Sequence, residues 1–151
     1  MDIARWLHIL STTVWVGGMF FAYVALRPVA ASVLQPPLRL QLWHGTLARF
    51  FQWVWLAIGL LLATGLHMTM KLGGLAAPLH VRVMLILGVI MMLVFAHVFF
   101  APFARLGRAV ASESWPDGGV ALGQIRRLVG INLVLGLVTI TIATVGRLAL
   151  R

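Results

Sequence analysis

The sequence contains no cysteine among its 151 residues. Disulfide bonds, thiolate metal sites and cysteine nucleophiles are therefore excluded. Acidic residues are scarce as well, because only Asp2, Glu113 and Asp117 carry a carboxylate side chain. With so few acids, the apolar segments cannot supply the paired carboxylates or catalytic triads of a hydrolase. The glycine pairs also lack the lysine and hydroxyl pattern of a phosphate-binding loop.

Apolar residues are what the sequence has in excess. Hydrophobic residues make up 62% of the chain and charged residues 10%, and the mean hydropathy is +1.02. A soluble domain of this length is about 45–50% apolar and about 25% charged. The composition therefore indicates an integral membrane protein with a single domain over residues 1–151. The net charge of +9 comes from basic residues at the ends of apolar runs, which is typical of membrane anchoring and not of nucleic-acid binding.

Four apolar segments are long enough to cross a bilayer. They cover roughly residues 6–26, 50–70, 81–101 and 128–148. Each would form about 31 Å of helix, which matches a hydrocarbon core of about 30 Å. Backbone polar groups in lipid must be satisfied within the segment, so we expect an all-α, four-helix transmembrane bundle. Residues 36–45 are predicted to form a short interfacial helix, and residues 102–110 to continue the third span into the aqueous phase.

The distribution of basic residues predicts the orientation in a bacterial inner membrane. The first and third connections hold seven Arg residues, whereas the termini and the second connection hold five basic residues. The positive-inside rule then places both termini in the periplasm. The first span is predicted to be a membrane helix and not a signal peptide, because MDIAR has no net side-chain charge and the apolar stretch is too long.

The five histidines fall into two groups by membrane depth. His8 begins the first span, His67 ends the second and His80 begins the third, so these three lie at the same membrane face. His44 and His97 lie at the opposite face. Ionisable residues in a membrane are costly and indicate function by default.

Small and polar residues form stripes along the spans. Gly59, Ala63 and His67 recur at i, i+4 and i+8 on the second span, which predicts a face packed against another helix. Asn132 belongs to a similar stripe on the fourth span and is predicted to form a hydrogen bond between helices.

The stretch ATGLHMTMKLGG (residues 63–74) adds methionines to the first histidine group. Met68 and Met70 lie in the same layer as His67 at the end of an apolar helix. Imidazole and thioether ligands without carboxylates suit Cu(I), a soft ion, and not a hard cation. A path that conducts Cu(I) across the membrane would need a second binding site, for which His44 and His97 are the candidates. The alternative is that the methionines fill space and His67 makes an interfacial hydrogen bond.

The same histidines also suit a haem. A four-helix bundle can hold a haem between facing helices with imidazoles as axial ligands. His8 could pair with His67 or His80 near one face, and His97 with His44 near the other.

Two further residues belong to the haem interpretation. Arg82 could bind a propionate, and Trp15 would line the apolar wall. The structural alternative for Arg82 is an anchor that extends to the interface. The residue types at these depths do not separate a haem from a copper site.

Several stretches resemble the small, single-domain form of the copper-resistance protein D (CopD) family. They are LHILSTTVWVGGMFFAYVALRP (7–28), RFFQWVWLAIGLLLATG (49–65), VMLILGVIMMLVFAHVFFAPFARL (83–106) and RRLVGINLVLGLVTI (126–140). The resemblance implies copper uptake or tolerance at the inner membrane, often beside a periplasmic copper-binding partner.

A more distant similarity is to the HemJ type of protoporphyrinogen oxidase, which implies haem b. LHVRVMLILG (79–88) followed by His97 looks like the third span of that family, with Arg82 where the family has lysine. His8 before Trp15 resembles its first span, and Asn132 its fourth.

Three functions thus stay open at this point. The first is a CopD-like protein that handles copper through His8, His67 and His80, with Met68 and Met70 as softer ligands. The second is a haem b redox protein that passes electrons between a porphyrin, a quinone or an oxygen species and its haem. The third is a scaffold subunit without catalysis. The sequence leaves a homodimer open as well.

Overall fold

Four long helices form the described part of the chain. The structure, a computed structural model, describes residues 3–149, with side chains through residue 146, so Asp2 lies outside the described residues. Helix α1 covers Ile3–Val33, α2 Pro36–Lys71, α3 Leu79–Ala111 and α4 Trp115–Ala149. All four are long and apolar enough to cross a membrane, and no strand occurs within residues 3–149. The predicted all-α, four-helix architecture is confirmed.

The helices extend well beyond the apolar segments. Residues 36–45 form the first turns of α2 and not a separate interfacial helix, so that prediction was wrong. The reason is that hydropathy reports only the length in contact with lipid, whereas a helix continues until its backbone is interrupted. Pro36 and Pro37 do not interrupt it, because a first turn needs no backbone N–H donors. The predicted continuation of the third span is confirmed, since α3 runs to Ala111.

The stretch SWPDGG (114–119) is mostly helical, although its composition predicts a loop. Helix α4 begins at Trp115, and Pro116 occupies its first turn, where proline is tolerated. The packing at Gly118 is close, because a Cβ atom there would lie 2.9 Å from Leu40 Cδ1. The glycine therefore allows the start of α4 to approach α2 closely.

Two π-helical turns accommodate prolines inside the helices. One turn covers Phe21–Leu26 in α1 and precedes Pro28; the other covers Phe99–Phe103 in α3 and contains Pro102. Proline lacks an N–H group and its ring clashes with the carbonyl four residues earlier. A locally wider turn relieves that clash and lets the helix continue.

Glycine contacts bring the helices together. Helix α1 packs mainly on α2, α3 packs mainly on α4, and α4 also contacts α1 and α2. At one crossing, a Cβ atom on Gly18 of α1 would overlap the ring of Phe50 in α2. At another, a Cβ atom on Gly136 of α4 would lie 2.9 Å from Val16 Cγ2 and 3.2 Å from Met91 Cε. Such close approaches are how helices gain packing energy in lipid.

Aromatic side chains fill the middle of the bundle. Phe51 packs edge-on against Phe95 and Phe103, with ring centroids 5.1 and 4.9 Å apart. Trp15 packs edge-on against Phe95 at 6.1 Å. This aromatic core separates the end of the bundle that contains His8 from the end that contains His44.

Candidate functional site

A chain of hydrogen bonds indicates which ring nitrogen of His8 carries a hydrogen. Its Nδ1 atom lies 2.8 Å from the hydroxyl oxygen of Thr64, a residue of α2 that is only 7% exposed. The Thr64 hydroxyl donates its one proton to the carbonyl oxygen of Leu60 at 2.6 Å. The Thr64 oxygen must then accept a proton from His8, so Nδ1 carries the hydrogen. In the neutral imidazole, the Nε2 atom of His8 then keeps its lone pair for another partner.

Gly65 of α2 packs against the imidazole ring of His8. A Cβ atom at Gly65 would lie 3.4 Å from His8 Cε1, so the imidazole of this half-buried residue packs directly over the backbone of α2. The hydrogen bond and the glycine contact together orient the ring between α1 and α2.

His80 carries a buried nitrogen without a partner. Its Cβ atom would lie 3.2 Å from a Cβ atom at Gly146, so the residue packs closely against α4. Within the described part of the chain, His80 Nδ1 is buried and has no hydrogen-bond partner. An unsatisfied buried nitrogen costs about 1–3 kcal/mol, and a bound ligand would recover that cost.

Met68 shares the α1-facing side of α2 with Thr64. The two residues are four positions apart, which places them on one face of the helix, and Met68 is half-buried. By contrast, His67 is exposed and Met70 is 76% exposed. The structure therefore brings His8 to the face of α2 that bears Met68 and leaves His67 and Met70 on the outer surface.

No cluster of three histidines lies at this end of the described bundle. Among the described residues, no group of three or more His, Asp or Glu side chains is arranged to hold a metal ion. Thioether sulfur is a different class of ligand, and Met68 carries one at this end of the bundle.

The two histidines at the opposite end lie in different surroundings. His44 stacks on Phe103, with ring centroids 5.5 Å apart, and its Nε2 atom would lie 3.1 Å from a Cβ atom at Gly107. His97 is exposed on α3. Packing thus holds the ring of His44 between α2 and α3, whereas His97 faces outward.

Of three residues named for a haem, Trp15 and Asn132 have structural contacts in the bundle, and Arg82 is exposed. Trp15 is 3% exposed and belongs to the aromatic core. Asn132 is buried and donates from Nδ2 to the carbonyl oxygen of Met91 at 3.1 Å, as predicted for a hydrogen bond between helices. Arg82 is exposed at the start of α3. Contact of these residues with a haem stays a prediction.

Sequence reasoning missed Thr64 and chose the wrong face of the second span. Gly59, Ala63 and His67, predicted to pack against another helix, are all exposed. The buried face of α2 at this end carries Leu61 and Thr64 instead. Because small residues occur on both faces, their spacing could not identify the packed one. A buried hydroxyl within an otherwise aliphatic helix was the available signal.

Comparison with known protein families shows to which family the chain belongs. The family described as copper resistance protein D matches residues 44–145, which is most of the chain. The chain belongs to the copper resistance protein D family. No curated protein and no solved structure matches it significantly. As a member of this family with four membrane-spanning helices, the chain is a multi-pass inner-membrane protein associated with copper resistance.

The match begins after the first span. It therefore includes Thr64 and Met68 but not His8. The hydrogen bond between His8 and Thr64 links α1 to the part of the chain that carries the family signature.

Proposed function

We propose that this protein binds Cu(I) as its cargo at the end of the bundle that contains His8, and so handles copper at the inner membrane. The hydrogen bond from His8 Nδ1 to Thr64 is the observation that carries the proposal. It orients the ring. In the neutral imidazole it also leaves the lone pair of Nε2 free to bind a metal.

A soft ion suits the groups around His8. Side chains on a helix lean toward its N-terminus, so the thioether of Met68 extends back over the turn that bears Thr64, in the direction of His8. Nitrogen and thioether ligands favour Cu(I) over hard cations, which need several oxygen ligands. The described carboxylates lie at the far end of the bundle, Glu113 in the connection between α3 and α4 and Asp117 in the first turn of α4.

His80 offers a second nitrogen at the same end. Its buried Nδ1 atom has no partner among the residues that the structure describes. A cation that coordinates this atom would satisfy it. We therefore include His80 as a further ligand of the ion or as part of a neighbouring binding site. His67 and Met70, which are exposed, would meet the ion before it enters the bundle.

The interior of the bundle favours an ion over a haem. A porphyrin between the helices needs a broad slot, whereas aromatic and aliphatic side chains occupy the middle of this bundle. A bare ion needs only a few donor atoms. The same core, with Phe51 at its centre, separates His8 from His44. Transfer of the ion to a second binding site near His44 would therefore require the helices to rearrange.

An anaerobic Cu(I) titration against a chromophoric chelator tests the proposal. We expect the detergent-purified protein to bind one Cu(I) per chain, and His8→Ala to weaken binding by at least about tenfold, as expected for the loss of a ligand. His97→Ala is the matched control, because it removes an exposed histidine from the opposite end.

A second pair of matched variants tests the contributions of the two methionines to Cu(I) binding separately. Met68→Leu should weaken equilibrium Cu(I) binding, whereas Met70→Leu should leave it unchanged, because the exposed Met70 would meet the ion only on its way into the bundle. A protein that purifies with a Soret band, or one in which His8→Ala and His97→Ala behave alike, would overturn the copper proposal.

A further inference from the structure

The far end of the bundle contains a pocket that the copper proposal does not use. It has a volume of about 590 Å³ and lies between α1 and the first turns of α2 and α4. No histidine is among the described residues that line it. Its most distinctive members are three arginines from three different helices: Arg27 of α1, Arg39 of α2 and Arg126 of α4.

The charge of the pocket is unbalanced. Arg27 lies over the ring of Tyr23, with its guanidinium carbon 4.9 Å from the ring centroid, and both side chains line the pocket. Among the described residues, neither Glu113 nor Asp117 lines it. Three cations that face one cavity repel each other, and an anion placed among them removes that repulsion. Planar guanidinium groups suit the oxygens of a phosphate in particular.

The rest of the lining is apolar and suits a hydrocarbon chain. It includes Trp43, Leu122 and Val129 along its wall and Trp115 at the start of α4. A free inorganic anion would use the arginines and leave this surface without a function. The volume falls within the range of sites for small organic ligands, about 300–1,000 Å³. Tryptophan is also typical of headgroup depth in membrane proteins.

We propose that the pocket binds an anionic phospholipid. Its phosphate lies among Arg27, Arg39 and Arg126, and part of an acyl chain follows the apolar wall. The count of basic residues assigns this end of the bundle to the cytoplasm, where anionic lipids and basic pockets between helices meet. The proposal goes beyond copper binding and does not depend on it.

Native mass spectrometry of the delipidated protein tests the charge requirement. Dioleoyl phosphatidylglycerol should bind with a stoichiometry of one and in preference to dioleoyl phosphatidylcholine. The double variant Arg39→Gln/Arg126→Gln should bind phosphatidylglycerol about 30-fold more weakly. The control Arg49→Gln/Arg127→Gln removes the same charge from arginines that do not line the pocket, and it should bind as the wild type does.

A second pair of variants tests the cavity itself. Gly123 lines the pocket and has open space around the position of a Cβ atom, so Gly123→Phe can fill the pocket without straining the helix. Gly59→Phe adds the same ring at an exposed position that also has open space. Only Gly123→Phe should lower phosphatidylglycerol binding, and thermal unfolding of both variants confirms that they are folded.

Free phosphate compounds distinguish the source of the ligand. An excess of glycerol 3-phosphate should not displace bound phosphatidylglycerol, because it lacks the acyl chain. Displacement by glycerol 3-phosphate would overturn the lipid proposal in favour of a soluble phosphate ligand. Equal binding of the two lipids, or equal losses in the pocket variants and their controls, would overturn the pocket as a specific site.

Discussion

At the scale of single residues, the proton on Thr64 governs the chemistry of His8. Because that proton goes to the carbonyl oxygen of Leu60, the hydroxyl oxygen can only accept from the imidazole. The tautomer of His8 thus follows from a residue on a different helix. Groups that orient a ligand in this way commonly change metal affinity by about 10–100-fold when they are removed.

Replacing Thr64 should weaken copper binding although Thr64 is not a ligand. We expect Thr64→Val to lower Cu(I) affinity by about tenfold, because the ring loses its acceptor and its fixed tautomer. Thr64→Ser should restore most of that loss, because it keeps the hydroxyl. The measurement is the same chelator competition.

Thr69 offers a matched control for this prediction. Its hydroxyl also donates to a helix carbonyl, that of Gly65, at 2.8 Å. Thr69→Val should therefore leave Cu(I) affinity unchanged. If Thr64→Val and Thr69→Val give equal affinities, the hydrogen bond does not prepare His8 for the ion.

Only part of the candidate site could be predicted at this scale. His8 was identifiable, because an ionisable imidazole at the start of a membrane span indicates a function. The outward position of His67 was not identifiable. It depends on how α2 is rotated about its own axis, and hydropathy carries little information about rotation when nearly all residues are apolar.

At the scale of the helices, glycine contacts set the crossing of α4 with its neighbours. Gly136→Leu should destabilise the protein by about 1–3 kcal/mol, because the added atoms meet Val16 and Met91. Gly59→Leu makes the same exchange where nothing lies within 4 Å, and it should leave stability nearly unchanged. Unfolding by SDS in mixed micelles measures the difference. Equal stabilities for the two variants would show that the crossing tolerates a larger side chain.

The existence of the four helices was predictable, but their ends were not. Hydropathy located every span because the cost of an unsatisfied backbone in lipid leaves no other structure. The ends depend on features outside the lipid, such as Pro36 and Pro116 in first turns, which favour a helix start although proline also marks loops. The π-helical turns depend on how the backbone widens locally to accommodate Pro28 and Pro102.

At the scale of the whole molecule, the orientation decides from which compartment copper would reach the proposed site. The basic residues predict that the connection between α2 and α3, next to the end that contains His80, lies in the periplasm. The absence of cysteine makes this prediction easy to test, because a single introduced cysteine is the only thiol. Leu75, in that connection, is 95% exposed, and Ser32, near the connection between α1 and α2, is exposed as well.

Labelling with a membrane-impermeant maleimide reads out this orientation. In intact cells from which the outer membrane has been removed, Leu75→Cys should react and Ser32→Cys should not. Both should react after the inner membrane is permeabilised. The reverse pattern would place His8 and His80 on the cytoplasmic side.

X-ray absorption at the copper edge of the Cu(I)-loaded protein tests most directly whether His8 and a thioether hold the ion. We predict a coordination shell that contains both nitrogen and sulfur, and a spectrum for His8→Ala in which nitrogen scattering decreases. A shell of nitrogen and oxygen alone, or a spectrum that His8→Ala leaves unchanged, would contradict the proposed site.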